Sequence, residues 1–266
     1  MGRKHCVFAR YVDLACVLRY VADMSSWEPD RTFDFTAALS TGREATHTVH
    51  VRGDGPPILL LQELPGIGPE TLDLVDRLTD SGFRVYLPHL FGTFGKVTMT
   101  RNALRMLCIR REFNVFLKGR QSPISTWMRA LCRHIRSEED ALGVGVIGMC
   151  LTGSFALALM ADEAVLGGVA SQPALPLFGG DTLHMSEADI TEARTGMKSK
   201  GPGLAMRYTG DRVAPARLMR ALESAFGEDL QTVEFPGNDH SLLTLHFHDP
   251  AYHRVEAYFH ERFARA

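Results

Sequence analysis

One cysteine of this chain stands where a thiol could act as a nucleophile. In Val144-Gly145-Val146-Ile147-Gly148-Met149-Cys150-Leu151-Thr152-Gly153 a glycine-interrupted apolar run leads to Cys150, and the apolar segment Ser154 to Met160 follows. The pattern predicts a buried strand, a sharp turn with Cys150 at its apex, and a helix. A strand–turn–helix of this kind lifts a nucleophile above the edge of a sheet. A thiolate there would attack a carbonyl carbon and form a covalent intermediate. A free cysteine alone is more often a small buried hydrophobe, so the reading of Cys150 rests on its position and on its partners.

Two partners of the right types follow in the right order. The apolar run Leu204 to Thr209 ends in Gly210-Asp211-Arg212-Val213-Ala214-Pro215, and Thr232 to Phe235 ends in Pro236-Gly237-Asn238-Asp239-His240. An imidazole beside a thiol can take or hold its proton, and a carboxylate behind the imidazole fixes the tautomer and steadies the imidazolium. Taken singly, Asp211 reads equally well as a turn residue and His240 as a surface loop histidine. Asp239 is a rival acid, but its place next to His240 in sequence sets it badly for reaching that ring. Cys150, Asp211 and His240 become a candidate triad because each follows a predicted strand, in the order nucleophile, acid, histidine.

The elements that must position these residues alternate. Thr46 to Val51 alternates as a strand does, Gly53-Asp54-Gly55-Pro56 turns the chain, and Ile58 to Leu61 is the continuous apolar run of a strand covered on both faces. Pro69 to Ser81 has helical spacing with Leu72, Val75 and Leu78 on one face, and Gly82 ends it. Phe83 to Leu87 reads as a strand, Asn102 to His134 as mainly helical with an interruption at Gly119 to Pro123, Gly143 to Ile147 as the elbow strand, Gly167 to Ala170 as another, and Pro250 to Ala264 as a closing helix. Strands alternating with helices, without internal repeats, argue for a doubly wound, mostly parallel sheet with helices on both faces. Functional groups on such sheets gather where strand carboxyl ends meet loops. Residues 1–31 are weakly patterned and form an N-terminal appendage joined through Ser25 to Asp30; the body is residues 32–266.

Composition narrows the classes. The chain has 266 residues, enough for one large α/β domain, and its 29 basic and 31 acidic residues nearly balance at a net charge of -2. No basic block points to nucleic acid. No apolar run is long enough to span a bilayer, and Val12 to Val21 is broken by Asp13 and Arg19, unlike a signal peptide. Five cysteines (Cys6, Cys16, Cys108, Cys132, Cys150) without ligand-like spacing argue against a zinc site or a disulfide framework and for a reducing, cytoplasmic setting. The expectation is a monomer or homodimer that acts on a small molecule without metal or cofactor.

With these residues in hand, the chain resembles the dienelactone hydrolase family, over roughly residues 45–262. Gly148-Met149-Cys150-Leu151-Thr152-Gly153 is similar to the family's G-x-C-x-G-G elbow, and Gln62-Glu63-Leu64-Pro65-Gly66-Ile67 to its Q-E-x-x-G segment. Tyr86 to Gly92 is similar to its A-P-D-L-Y stretch, and Gly210-Asp211 and Gly237 to Ser241 match its acid and histidine loops. The resemblance implies an α/β-hydrolase fold and hydrolysis of a small ester or lactone. It implies that Glu63 holds the resting thiol and accepts its proton, and that the backbone N–H groups of Leu64 and Leu151 form the oxyanion hole. A carboxylate beside a thiol disfavours a standing thiolate and so limits side reactions.

Three residues depart from the family pattern. Thr152 replaces a glycine, so the turn must accommodate a β-branched side chain. His89 replaces an aspartate. Thr244 stands four residues after His240, where the best-studied pattern has an arginine that grips a substrate carboxylate. Arg101, Arg105, Arg110 and Arg111 are the alternative anion contacts, against the plainer reading of a solvated helix face; Met106, Phe113, Phe116, Trp127 and Met128 read as core. Three functions remain open: an ester or lactone hydrolase of carboxymethylenebutenolidase type, a thioesterase or acyl-transfer enzyme with the same residues, and a catalytically silent relative that binds a small molecule or a protein.

Overall fold

The computed structural model describes residues 27–64, 66–95, 122–174, 183 and 185–266. Eight strands form one sheet: β1 (Arg31–Ala38), β2 (Glu44–Arg52), β3 (Pro57–Leu61), β4 (Arg84–Pro88), β5 (Val144–Met149), β6 (Val165–Ser171), β7 (Gly203–Tyr208) and β8 (Leu230–Phe235). Their spatial order is β1-β2-β4-β3-β5-β6-β7-β8. β2 runs antiparallel to both of its neighbours, and all other pairings are parallel.

Period-2 alternation explains why the central strands read as unbroken apolar runs. All five residues of β3 are buried. Ile58 and Leu60 enter one core with Leu72, Val75 and Leu78 of α1 (Pro69–Asp80) and Tyr252, Val255 and Phe259 of α6 (Asp249–Arg265). Leu59 and Leu61 enter the other, with Trp127, Met128 and Leu131 of α2 (Ile124–Glu138) and Phe155 of the short α3 (Gly153–Ala158). The same face holds Met197 of α4 (Glu187–Lys200) and Leu218 and Leu222 of α5 (Ala216–Phe226). Two apolar layers around one sheet are the architecture of a doubly wound fold, and Trp127 and Met128 lie in the core as expected.

Three elements differ from the sequence reading. β1 is an additional strand: Thr32-Phe33-Asp34-Phe35 alternates, with Phe35 edge-on to Trp127 at 5.4 Å between ring centroids. Helices α4 and α5 had no counterpart in the reading. α4 is mostly polar, so its apolar stripe is narrow; its start is nonetheless marked by a capping box of Ser186 and Asp189. The segment expected to join an appendage to the body is itself held on the body. Trp27 Nε1 donates to Asp76 Oδ1 at 3.1 Å, and Asp30 Oδ2 accepts from Gly53 N at 2.7 Å. Residues 1–26, Arg101, Arg105, Arg110, Arg111, Met106, Phe113 and Phe116 lie outside the described residues.

Candidate active site

The chain leaves β3, adds β4 on one side and returns to add β5 on the other, so the sheet's switch point lies at the carboxyl ends of β3 and β5. Crevices at such points are where open α/β sheets bind ligands. Glu63 follows β3 and Cys150 follows β5. Asp211 and His240 follow β7 and β8, so all four candidates share one edge of the sheet.

The elbow is built by tight backbone contacts. Cys150 has φ +52°, a left-handed conformation that a non-glycine residue adopts at a cost of order 1–3 kcal/mol. Such strain persists only where its surroundings impose it. Gly148 supplies part of that constraint, since a Cβ there would lie 2.2 Å from the Thr152 carbonyl oxygen. Thr152 accommodates its branched side chain by being an ordinary αR residue whose hydroxyl is used. Its Oγ1 accepts from Met149 N at 2.9 Å and lies 2.9, 3.1 and 3.1 Å from the carbonyls of Met149, Leu61 and Gln62. The hydroxyl thus ties the end of β3 to the elbow, a link that glycine could not make. Cys150, nearly buried at 9 % exposure, packs with Ala174 and with Ala214 of the acid's loop.

The acid and the base meet. His240 Nδ1 lies 2.7 Å from Asp211 Oδ2, while Asp211 Oδ1 accepts from Val213 N at 2.8 Å and Ala214 N at 3.0 Å. Burial would raise the Asp211 pKa, but the His240 bond and the two backbone donors hold it below the ordinary carboxylate range. Burial likewise opposes charge on His240; its bond to Asp211 and the neighbouring Cys150 sulfur outweigh this and push its pKa up to about 10. His240 Nε2 is buried with no hydrogen bond of ordinary geometry, so Cys150 influences the ring electrostatically without a well-formed bond to it. Asp239 is no rival: it is exposed, and its nearest basic partner is His246 Nε2 at 3.7 Å.

Glu63 is held by neutral donors. Its Oε1 accepts from Thr244 Oγ1; its Oε2 accepts from Ser241 Oγ and Gln172 Nε2, each at 3.1 Å. Burial raises its pKa, and the two hydroxyls, the nearby His240 ring and the Gln172 amide only partly counter this. Cys150 is not among its hydrogen-bond partners in the described residues. Thr244, read as the loss of a substrate-gripping cation, is in fact a ligand of Glu63. Leu64 lies in the loop after β3 and Leu151 directly after Cys150, as an oxyanion hole would require.

Two residues of the site escaped the sequence reading. Gln172, fully buried at the end of β6 with φ +34°, reaches Glu63. Arg207 is buried inside β7; it bonds Glu234 at 2.6 Å and the carbonyls of Thr209, Asp211 and Ala214, and so shapes the loop that carries the acid. The signal for Gln172 was available: a polar Ser171-Gln172 pair before Pro173, just beyond a predicted strand. The Gln62 amide links the two early loops of the site. It donates to Phe91 O at 2.8 Å and accepts from Leu90 N at 2.9 Å, joining the loops after β3 and β4. His89 contributes a backbone bond to Thr48 O at 2.8 Å.

Residues 44–257 match the family model described as "Dienelactone hydrolase family". The chain belongs to that family. No curated protein matches it. Among solved structures, the chain is similar to a Klebsiella pneumoniae subsp. pneumoniae protein assigned as a dienelactone hydrolase, with 16% identity, TM-score 0.57 and coverage of 86% of this chain and 99% of that one. It is also similar to the dienelactone hydrolase-like promiscuous phosphotriesterase P91 from metagenomic libraries, with 14% identity, TM-score 0.56 and coverage of 88% and 98%. Est1E from Butyrivibrio proteoclasticus is similar at 11% identity and TM-score 0.57, with coverage of 87% and 99%. At these identities the likeness is one of fold, the α/β-hydrolase fold. No helix among the described residues is long and apolar enough to cross a membrane.

Proposed function

We propose that this dienelactone hydrolase family member hydrolyses a small ester or lactone, of the carboxymethylenebutenolidase type, through Cys150, His240 and Asp211. The observation that carries the reading is the strained Cys150 elbow at φ +52° facing a histidine whose other nitrogen is 2.7 Å from a buried carboxylate. Cys150 Sγ attacks the carbonyl carbon, and its proton passes to the Glu63 carboxylate and returns to the sulfur when the thioester is cleaved. The N–H groups of Leu64 and Leu151 donate to the oxyanion. His240, charged at neutral pH, donates its Nε2 proton to the leaving oxygen; once neutral, it activates the water that cleaves the thioester. Asp211 steadies the imidazolium throughout. A cytoplasmic location is part of this proposal, since it keeps the thiol reduced.

Thr244 supports a neutral substrate, since its hydroxyl is committed to Glu63 and carries no charge. A hydrolysis screen of lactones, aryl esters and acyl thioesters, run beside Cys150→Ala, tests the reading. Turnover of esters or lactones that is lost in the variant supports it. Turnover confined to thioesters makes the chain a thioesterase, and no turnover of any class leaves a silent binding relative.

A further inference from the structure

Gln172 differs in kind from the other two ligands of Glu63. The hydroxyls of Ser241 and Thr244 can turn from donor to acceptor by rotating about one bond, whereas an amide nitrogen only donates. Ser171 Oγ donates to the Gln172 Oε1, an arrangement that turns the amide nitrogen to Glu63. The backbone adds a restraint: Gln172 is fully buried at φ +34°, and its N–H donates to Met206 O of β7 at 2.7 Å. The same segment is fixed against the elbow, where Ala174 N donates to Cys150 O at 3.0 Å and Pro173 packs where a side chain on Gly153 would go. A side chain restrained at both ends, in an uncommon conformation, aims one donor at one oxygen of a buried carboxylate.

We infer that Gln172 is a positioning residue that decides which oxygen of Glu63 carries a proton: Oε1, with Oε2 kept as the carbonyl. The hydroxyl oxygen of a carboxylic acid is a poorer acceptor than its carbonyl oxygen. A proton on Oε2 would therefore weaken two bonds, one of them from a nitrogen that can only donate, where a proton on Oε1 meets a single hydroxyl. A proton on Oε1 leaves the Gln172 and Ser241 bonds to Oε2 intact, and Thr244 Oγ1 rotates to accept it. Only O–H and hydrogen bonds change; the proton arrives from the thiol or from solvent and sits on Oε1. The titratable group that acts on Glu63 is His240 after β8, with Asp211 after β7 and Cys150 after β5 acting on that ring. None of them is a hydrogen-bond partner of Glu63 among the described residues, so the neutral donors choose the oxygen. The catalytic meaning of this choice rests on the proposed function, but the protonation site itself is independent of any substrate.

Infrared difference spectroscopy of a pH titration of the whole protein tests it. The C=O stretching band of protonated Glu63 is identified by its loss in Glu63→Gln. With the carbonyl at Oε2, Gln172→Leu moves this band to higher frequency, because it removes a donor to that carbonyl, and moves it more than Thr244→Val does. Gln172→Leu also raises the midpoint at which the band appears by about one to two pH units, the value of one hydrogen bond to a charged group. A band that responds to Thr244→Val and not to Gln172→Leu would place the carbonyl at Oε1 and overturn the inference. Gln172→Met, unbranched and lacking the donor, serves the same comparison if the leucine variant does not fold. Loss of the hydrolase reading would leave these spectra unchanged, so the two failures are distinguishable.

Discussion

Asp211 and Glu63 are two buried carboxylates at strand ends of one site, 4% and 6% exposed, and their surroundings drive them in opposite directions. Asp211 is desolvated too, yet it is held below the ordinary range, because it accepts two backbone N–H bonds and faces a ring that can carry charge. Glu63 accepts three bonds from neutral side chains and is pushed up. Fixed backbone donors and an ion pair stabilise a negative charge more than rotatable hydroxyls, which serve a protonated acid as well as a carboxylate. Under the proposed function, acids pushed apart in this way divide the labour: Asp211 stays ionised, and Glu63 exchanges a proton.

The sharpest way to break the comparison is to remove each charge without changing shape. Asp211→Asn should reduce kcat by about 10⁴-fold, the scale for a triad histidine left in the wrong tautomer. Glu63→Gln should cost about 10²-fold, the lower range for one acid–base group, because it removes the proposed proton acceptor while keeping the shape of the side chain. It should also change the pH profile of Cys150 alkylation. Equal losses in the two variants would erase the distinction. In the same experiment, iodoacetamide inactivation should follow Cys150, not Cys132, whose thiol burial pushes well above its ordinary range.

Substrate charge comes next. Without a cation at Thr244, a carboxylated lactone should be disfavoured against its neutral analogue by roughly 10–200-fold relative to an enzyme with a charge-assisted contact there. Paired kinetics measure this. A strong preference for the acid that survives substitution of Arg101, Arg105, Arg110 and Arg111 would show that neither Thr244 nor those arginines sets charge selectivity.

The pH dependence of stability should carry opposite signs for the two acids. His240 is raised from 6.5 to about 10, so its stabilisation is complete below pH 6.5 and lost as pH rises through about 10. Asp211 is lowered, so its stabilisation is present above its ordinary 3.8 and lost as pH falls through its depressed value. Wild type should therefore exceed Asp211→Asn in melting temperature most at neutral pH, with the advantage shrinking at both extremes. Glu63 is raised above its ordinary 4.5, so it favours folding most at acid pH and loses that contribution as pH rises through its folded value. Glu63→Gln, which does not titrate, should gain on wild type as pH rises. Melting curves that move in parallel for both variants would contradict the opposed shifts. The smallest effect is expected at Asp239, which is exposed and off the ring: Asp239→Asn should change kcat by less than about twofold.

The sequence by itself determined what is local. The apolar run Ile58 to Leu61 read as a strand covered on both faces, the glycines around Cys150 read as a tight turn, and the order of cysteine, aspartate and histidine was readable because each sits just beyond its own strand. Periodicity was silent where the apolar stripe is thin, as in α4, and where Phe33 and Phe35 alternate in an edge strand whose other face is solvated. What only the tertiary structure decided is pairing between distant segments. Thr244 and Thr152 read as losses because the sequence records that an arginine and a glycine are gone, not that a hydroxyl 181 positions from Glu63 or 91 from Leu61 lies within bonding distance. For Gln172 the sequence offered a polar pair beyond a strand, but not its partner. Its role depends on an amide orientation set by Ser171 and a backbone held by β7, and neither is a property of the residue or its spacing. Residue type fixes which bonds a side chain can make; only the packed sheet edge decides which of those bonds it makes, and so which way each carboxylate is driven.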